Sequence, residues 1–399
     1  MKVLITVNTY EPRHDGVQAV TKYLAEGLVN KGHEVDLITH YSPDRTKIRD
    51  EIINGVHVIR WNAWTKYTIH HGNKDEYLNK LIRNDEHYDC LVNIGTQTPY
   101  CDWILPVIDK INIPKVLYIH SIWDFKYHKQ YFQNFSVFAK KTYANIRWWV
   151  YYNRWGKAFR QYDRVIQLHE KDYSYLWFKK KYGIDSVIIE NAADDSFFDS
   201  DVDATIHVPK KYFINVANYD DRKNQKEILK AFLQADTDSY ELILIGSEKN
   251  DYYERIADLY KNYKANGGSK NVQLLFDVPR KNISTYVKKA SVYVMASRWE
   301  AFPISLTESM SAGVPWISSD VGIVKYLPGG VVYGNKTLSE TMSSLVHDDT
   351  KRISLGIQGR HYAEKKFRKE DKINQFEKCI NDAINNYNKA IIDEKSARK

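Results

Sequence analysis

The chain has 399 residues, 43% of them hydrophobic, which suits two packed cores of about 150–200 residues each better than one. No stretch approaches the ~18 uninterrupted apolar residues of a membrane span, and three cysteines (Cys90, Cys101 and Cys379) are too few and too scattered for a disulfide framework or a zinc site. A formal charge of +8 implies attraction to something anionic without choosing among nucleic acid, membrane and phosphorylated metabolites.

The opening MKVLITVNTY is one lysine and a short strand-like run, without the long apolar core and cleavage site of a secretory signal. We therefore expect the chain to begin here and to be cytoplasmic, and the sequons at Asn134, Asn282 and Asn335 to be chance. KVLITVN reads as a buried strand and YEPRHDG as a loop. VQAVTKYLAEGLVNKG sets Val17, Val20, Leu24 and Leu28 on one helical face before Gly32, and EVDLITH is the next strand. The alternation continues through VHVIRW, YDCLVNIG, KVLYIHS and DRVIQLH. Strands separated by helix-length segments predict parallel sheets covered on both faces, with ligands beyond the strands' carboxyl ends.

The acidic stretch AADDSFFDSDVDATIHVP, residues 192–209, reads as a linker around which two domains would close. The pattern restarts with KYFINVAN, a helix near 224–235, ELILIGS, a helix near 252–264, NVQLLFD, SVYVMAS, a helix after Pro303, VPWISSD and VVYG. The expectation is two Rossmann-like α/β domains, 1–195 and 196–370, facing each other across a cleft. A helix over 371–399 would return to the first of them. No G-x-G-x-x-G follows the first strand and no G-x-x-x-x-G-K-[ST] occurs, which argues against an ordinary dinucleotide site or a P-loop ATPase.

WEAFPISLTE, residues 299–308, carries Glu300 and Glu308 on either side of Phe302-Pro303. Proline pushes the preceding residue out of helical geometry and favours the first helical position. Glu300 then reads as a loop residue, Pro303 as a helix start and Glu308 as second-turn, with the helix ending before Gly313. Ile304, Ser305 and Leu306 would present unpaired N–H groups, an anion site suited to a diphosphate. The plainer alternative makes Glu300 a helix cap and Glu308 a solvated acid; the position after a strand disfavours it. NYDDRKNQ, residues 218–225, places Arg222 and Lys223 beside a second helix start, where they would reinforce an anion site. HDGVQ, residues 14–18, puts Gly16 at the first loop–helix junction.

Glu, seven residues, Glu, with Phe-Pro after the first acid and a helix and Gly-Val-Pro behind it, resembles the signature of the retaining family 4 glycosyltransferases. The resemblance implies a GT-B fold and a nucleoside-diphosphate sugar donor. It implies Glu300 on the donor sugar, Glu308 on the ribose and Lys223 on the diphosphate. The family's Gly-Arg before that lysine is absent: Asn218 stands in the arginine position, and Arg222 reads as its substitute. The resemblance further implies a glycine loop at Gly16 facing the donor phosphates, although Asp15 precedes a single glycine where the family often has two. It implies a role near the transferred sugar for His120 in VLYIHSIWD, with Asp124 nearby but unmatched. Base recognition is expected from backbone groups near Asp277 and Val278.

No His/Cys/Asp cluster has ligand spacing, and Asp-x-Asp occurs only at 201–203 and 236–238, in the linker and a turn. No metal or other cofactor is therefore expected, with Arg222, Lys223 and helix dipoles opposing the charge of the leaving diphosphate. Residues 125–160 hold eight Lys or Arg, thirteen Phe, Tyr or Trp, and no acid. Trp148, Tyr152, Trp155 and Phe159 recur at helical spacing and must be partly core. The rest suits a membrane interface, an anionic glycan or single-stranded nucleic acid, and we assign it to acceptor or peripheral membrane docking. The resulting expectation is a retaining transfer of a hexosyl group from a UDP- or GDP-sugar to a glycan or lipid-linked acceptor, without nucleic acid as partner. The rivals are a GT-B nucleotide-sugar epimerase and an inactive carbohydrate- or nucleic-acid-binding protein.

Overall fold

A computed structural model describes residues 1–13, 15–40, 50–127, 129–132, 134–237 and 239–397. Of the segments singled out above, His14, His128, Gln133, Asp238, Arg398 and Lys399 lie outside the described residues. The chain divides into two compact units, Met1–Ile189 with Ile373–Lys399, and Glu190–Lys372.

The first unit begins with β1 (Lys2–Thr6), β2 (Glu34–His40), β3 (Asp50–Ile53) and β4 (Val56–Trp61), followed by a separate hairpin, β5 (Ala63–Lys66) and β6 (Ile69–Gly72). It continues with β7 (Cys90–Ile94), β8 (Lys115–Ile119), β9 (Arg164–Gln167) and β10 (Val187–Ile188). Apart from the hairpin these form one sheet in the order β10-β9-β8-β7-β1-β2-β4-β3. Every pairing is parallel except β3 with β4. Strands β7 and β8 are buried at every position, the near-continuous apolar run that a parallel strand covered on both faces requires. The helices are α1 (Gly16–Asn30), α2 (Lys74–Arg83), α3 (Pro99–Asp102), α4 (Phe135–Phe159) and α5 (Tyr173–Tyr182).

The second unit is a wholly parallel sheet of β11 (Tyr212–Val216), β12 (Glu241–Gly246), β13 (Val272–Phe276), β14 (Val292–Met295), β15 (Trp316–Ser318) and β16 (Gly330–Val332), in the order β13-β12-β11-β14-β15-β16. Its helices are α6 (Gln225–Gln234), α7 (Asp251–Ala265), α8 (Arg280–Lys288), α9 (Ile304–Ser311), α10 (Leu338–Val346) and α11 (Asp349–Lys366). A last helix, α12 (Lys369–Ala397), starts in this unit and continues in the first. There Phe376 lies 6.3 Å from the Tyr118 ring, Glu377 pairs with His33 at 2.8 Å and Lys31 at 3.1 Å, and Ile380 and Ala383 are fully buried.

The acidic stretch 192–209 is not a free linker, and the first boundary falls at Ile189–Glu190 rather than 195–196. Its acids meet cations of the second unit. Asp194 pairs with Lys369 at 2.6 Å, Asp199 pairs with Lys288, and the Asp203 N–H donates to Thr285 Oγ1 at 3.0 Å. Arg360 donates to the carbonyls of Phe197 (3.3 Å) and Phe198 (2.6 Å), fastening the same stretch from below. An acid-rich composition with small residues imitates a linker until its counter-ions are known.

Candidate functional site

In an open parallel sheet, ligands bind beyond the carboxyl ends of the strands where the strand order reverses. In the second unit that point lies between β11 and β14, and the loops after these two strands carry Lys223 and Glu300. The turn after β11 is held by Asp220, whose carbonyl and Oδ1 accept from the Lys223 N–H at 3.1 and 2.7 Å. Asn224 adopts a left-handed φ of 57° and donates through Nδ2 to the Ala296 carbonyl at 3.3 Å; α6 starts one residue later. The Arg298 N–H donates to the Arg222 carbonyl at 2.8 Å, stitching the two loops together. Lys223 Nζ thereby reaches Glu300 Oε1 at 2.6 Å, with both side chains mostly shielded from water. Arg222 and Asn218 stay exposed at the rim, and the Asn218 carbonyl accepts from the buried Gln225 amide at 2.9 Å.

Glycine at 322 fixes the Glu300 loop. Its φ is 53°, and a Cβ there would come within 2.2 Å of the Ala301 carbonyl oxygen and 2.4 Å of the Glu300 carbonyl oxygen. The next residue, Ile323, donates its N–H to that Ala301 carbonyl at 3.2 Å.

Helix α9 differs from expectation in two ways. Pro303 is its N-cap residue in extended geometry (φ −73°, ψ 116°), and the helix begins at Ile304. The Leu306 N–H is not free, because it turns back to the Pro303 carbonyl at 3.1 Å, a tight first turn that uses one of the three amides. The N–H groups of Ile304 and Ser305 are left. Phe302 faces inward, 6.0 Å from Phe367, while its carbonyl accepts from Asn191 at 2.9 Å, so its contribution is packing.

Glu308, the second acid of WEAFPISLTE, is 4% exposed and takes a guanidinium N–H from Arg280, a residue the sequence did not single out. Burial pushes the Glu308 carboxyl above its ordinary range, against the opposing pull of Arg280. Arg280 in turn holds its proton more firmly because of Glu308 beside it. Arg280 opens α8 directly after Pro279, and nothing local in V-P-R distinguishes it from a surface arginine. The Asp277 N–H, reserved above for a base, donates to the Ser247 carbonyl at 3.2 Å with Asp277 at φ 52°. The Asp277 N–H is therefore already engaged and does not stand open for a base.

In the first unit the reversal lies between β7 and β1, and α1 starts in the loop after β1. Asp15 caps it, its Oδ1 accepting from the Gln18 N–H at 2.9 Å and Oδ2 from Thr9 at 2.6 Å. Gly16 is the first helical residue, so its helical conformation is one that any residue adopts. His120 follows β8 and stacks on Tyr118 at 4.7 Å; its Nε2 is buried with no hydrogen-bond partner among the described residues. Burial pushes its imidazole down to about 4, only partly offset by Asp15. The loop behind it is pinned where the Lys141 ammonium donates to the Asp124 carbonyl and lies 4.5 Å over the Trp123 ring. Among the described residues, no group of three or more His, Cys, Asp or Glu is placed to hold a metal ion.

Two Rossmann-like units with charged loops at their strand switch points define a GT-B protein, and comparison with known families agrees. Residues 14–197 match the family described as Glycosyltransferase Family 4, and residues 198–362 match Glycosyl transferases group 1. The chain belongs to the family 4-like glycosyltransferases. Among curated proteins it is similar to an uncharacterized 41.2 kDa protein in the cps region of Klebsiella pneumoniae, 28% identical over 169 residues. That match covers 40% of this chain and 43% of the relative, less than half its length. Among solved structures, sucrose-phosphate synthase from Thermosynechococcus elongatus superposes with a TM-score of 0.70 at 16% identity, covering 94% of this chain and 97% of that one. HepE from Anabaena, solved in complex with UDP, gives 0.66 at 15% identity, covering 96% and 100%.

Proposed function

We propose that the chain is a retaining hexosyltransferase that takes its sugar from a nucleoside diphosphate, UDP or GDP, and delivers it to a hydroxyl of a glycan or lipid-linked acceptor. The observation that carries this is the Lys223–Glu300 pair at the strand switch point of the second unit, 2.6 Å apart. A cation for a diphosphate and a carboxylate for sugar hydroxyls stand side by side, each holding the other's charge until a donor separates them. The UDP bound by HepE, a protein of the same fold, favours a uridine donor.

In this reading Lys223 and Arg222, with the N–H groups of Ile304 and Ser305, oppose the charge that develops on the leaving phosphate, and no metal is needed. Glu300 accepts hydrogen bonds from the sugar, and Glu308 accepts from the ribose hydroxyls while Arg280 balances its charge. His120, neutral at physiological pH, contributes a hydrogen bond to the sugar rather than a charge. The acceptor oxygen bonds to the anomeric carbon on the face from which the phosphate departs, and the acceptor proton passes to that phosphate. The acid-free stretch 125–160 serves the acceptor side, at the cytoplasmic face of a membrane.

Incubation with UDP-, GDP- and ADP-sugars tests the proposal. Slow diphosphate release that Glu300→Gln abolishes supports transfer. Formation of an epimeric sugar nucleotide would replace it with the epimerase reading, and tight salt-sensitive RNA binding without donor binding would replace it with an inactive binder.

A further inference from the structure

Eleven of the twenty exposed large hydrophobic side chains among the described residues lie in two short segments of the first unit, the β5–β6 hairpin with its turn and residues 125–160. On the hairpin, Trp64 is 50%, Tyr67 86% and Ile69 62% exposed. On α4, Phe135 (85%), Tyr143 (69%), Ile146 (60%), Trp149 (51%) and Val150 (49%) are exposed on one side, and Val137 in the first turn is exposed on the opposite side. At about 100° per residue the first five fall within a stripe of about 120°, while Tyr152 and Phe159 on the far side are buried.

Hairpin and helix are tied together. Asp102 of α3 accepts from Tyr151 of α4 at 2.5 Å and is bonded to His70 of β6 at 2.9 Å, and Arg147 of α4 reaches the Thr68 carbonyl at the hairpin turn at 3.4 Å. Neither segment contains an acid, although the chain has 50 in 399 residues, and Lys66, Lys140, Arg154 and Lys157 are all exposed within them.

We infer that the hairpin and α4 form one docking surface for an anionic lipid bilayer. Aromatic rings and aliphatic side chains with a cationic border match the boundary between acyl chains and acidic headgroups. A second copy of the chain is a poor occupant, because two acid-free surfaces repel. Single-stranded nucleic acid or a glycan would stack on the rings, but leaves Ile69, Ile146 and Val150 without a purpose.

This inference does not depend on the transfer chemistry, since vesicle binding is measured without donor or acceptor. The experiment is flotation of the full chain with vesicles of phosphatidylcholine alone and of phosphatidylcholine with phosphatidylglycerol. Binding to the anionic vesicles, weakened by salt, is expected, with Ile146→Glu/Val150→Glu and separately Trp64→Ala/Tyr67→Ala each weakening it about tenfold or more. Quenching of indole fluorescence by bromolipid in the unaltered chain, reduced by Trp149→Phe, checks the contact without relying on a charged variant. Absence of vesicle binding, equal binding to neutral vesicles, variants that bind like the parent, or RNA binding lost in the same variants would overturn the inference.

Discussion

Lys223 and Glu300 neutralise each other, so removing either has two effects: it deletes a donor contact and leaves its partner's charge uncompensated in a shielded site. Glu300→Gln and Lys223→Met are each expected to lower kcat/KM by about 10²–10³, with the double variant little worse than either single one, because the residues act as a unit. Steady-state kinetics on the four proteins measures this, and additive losses would argue that the pair has no shared role. His120 carries a pH signature. Its folded-state pKa of about 4 lies below its usual 6.5, so the unfolded chain takes up the proton first on acidification. Its share of stability is complete above about pH 6.5 and is lost as pH falls towards 4. Urea unfolding from pH 7 to 4.5 should therefore show a shallower decline for His120→Gln than for the parent. Glu300, Glu308 and Lys223 stand out in the sequence because their neighbours along the chain, Phe-Pro and a helix start, mark them, and the structure pairs Lys223 with Glu300. Arg280 does not, because its meaning comes from Glu308 on another helix.

Interior strands and the helices α1, α6, α7, α9 and α12 were legible as elements, because periodicity and buried apolar runs are local properties, whereas α2, α5, α8, α10 and α11 were not singled out. The antiparallel edge strand β3, the hairpin and two-residue β10 were not: they are short, half-exposed and lack a continuous apolar run. The first turn of α9 shows a finer limit. A proline before a helix predicts where it begins, but not whether the turn tightens to consume the Leu306 amide. The loop ahead of α9 depends on a glycine from a different element. Gly322→Ala must both hold a left-handed φ and displace two carbonyl oxygens, a cost of about 1–3 kcal/mol or more. Part of the cost should appear as displacement of Glu300. The expected result is a lower Tm together with a loss of kcat/KM approaching that of Glu300→Gln; lost stability with unchanged activity per folded molecule would separate the glycine from the site.

At the scale of the whole molecule, the restart of the strand–helix pattern marks two units, whereas their first boundary falls earlier than expected because the ion pairs of Asp194 and Asp199 are invisible in composition. The first unit also depends on the end of the described chain. Residues 373–397 cover Gly27, Tyr118 and His33 with a helix whose Phe376 and Ile380 are fully buried. A chain ending at Lys372 gives up about 1.5–3 kcal/mol for each such large apolar side chain. Its first unit is expected to melt early or bind hydrophobic dyes, while the second unit, contiguous from Glu190 to Lys372, keeps its transition in urea.

Because α12 leaves the second unit and completes the first, order of synthesis and order of folding diverge. The ribosome makes residues 1–189 first, yet they lack their closing helix until Glu190–Lys372 have already emerged. A nascent chain would then carry a finished second unit behind an unfinished first one, so the half made earliest stays longest in need of a chaperone.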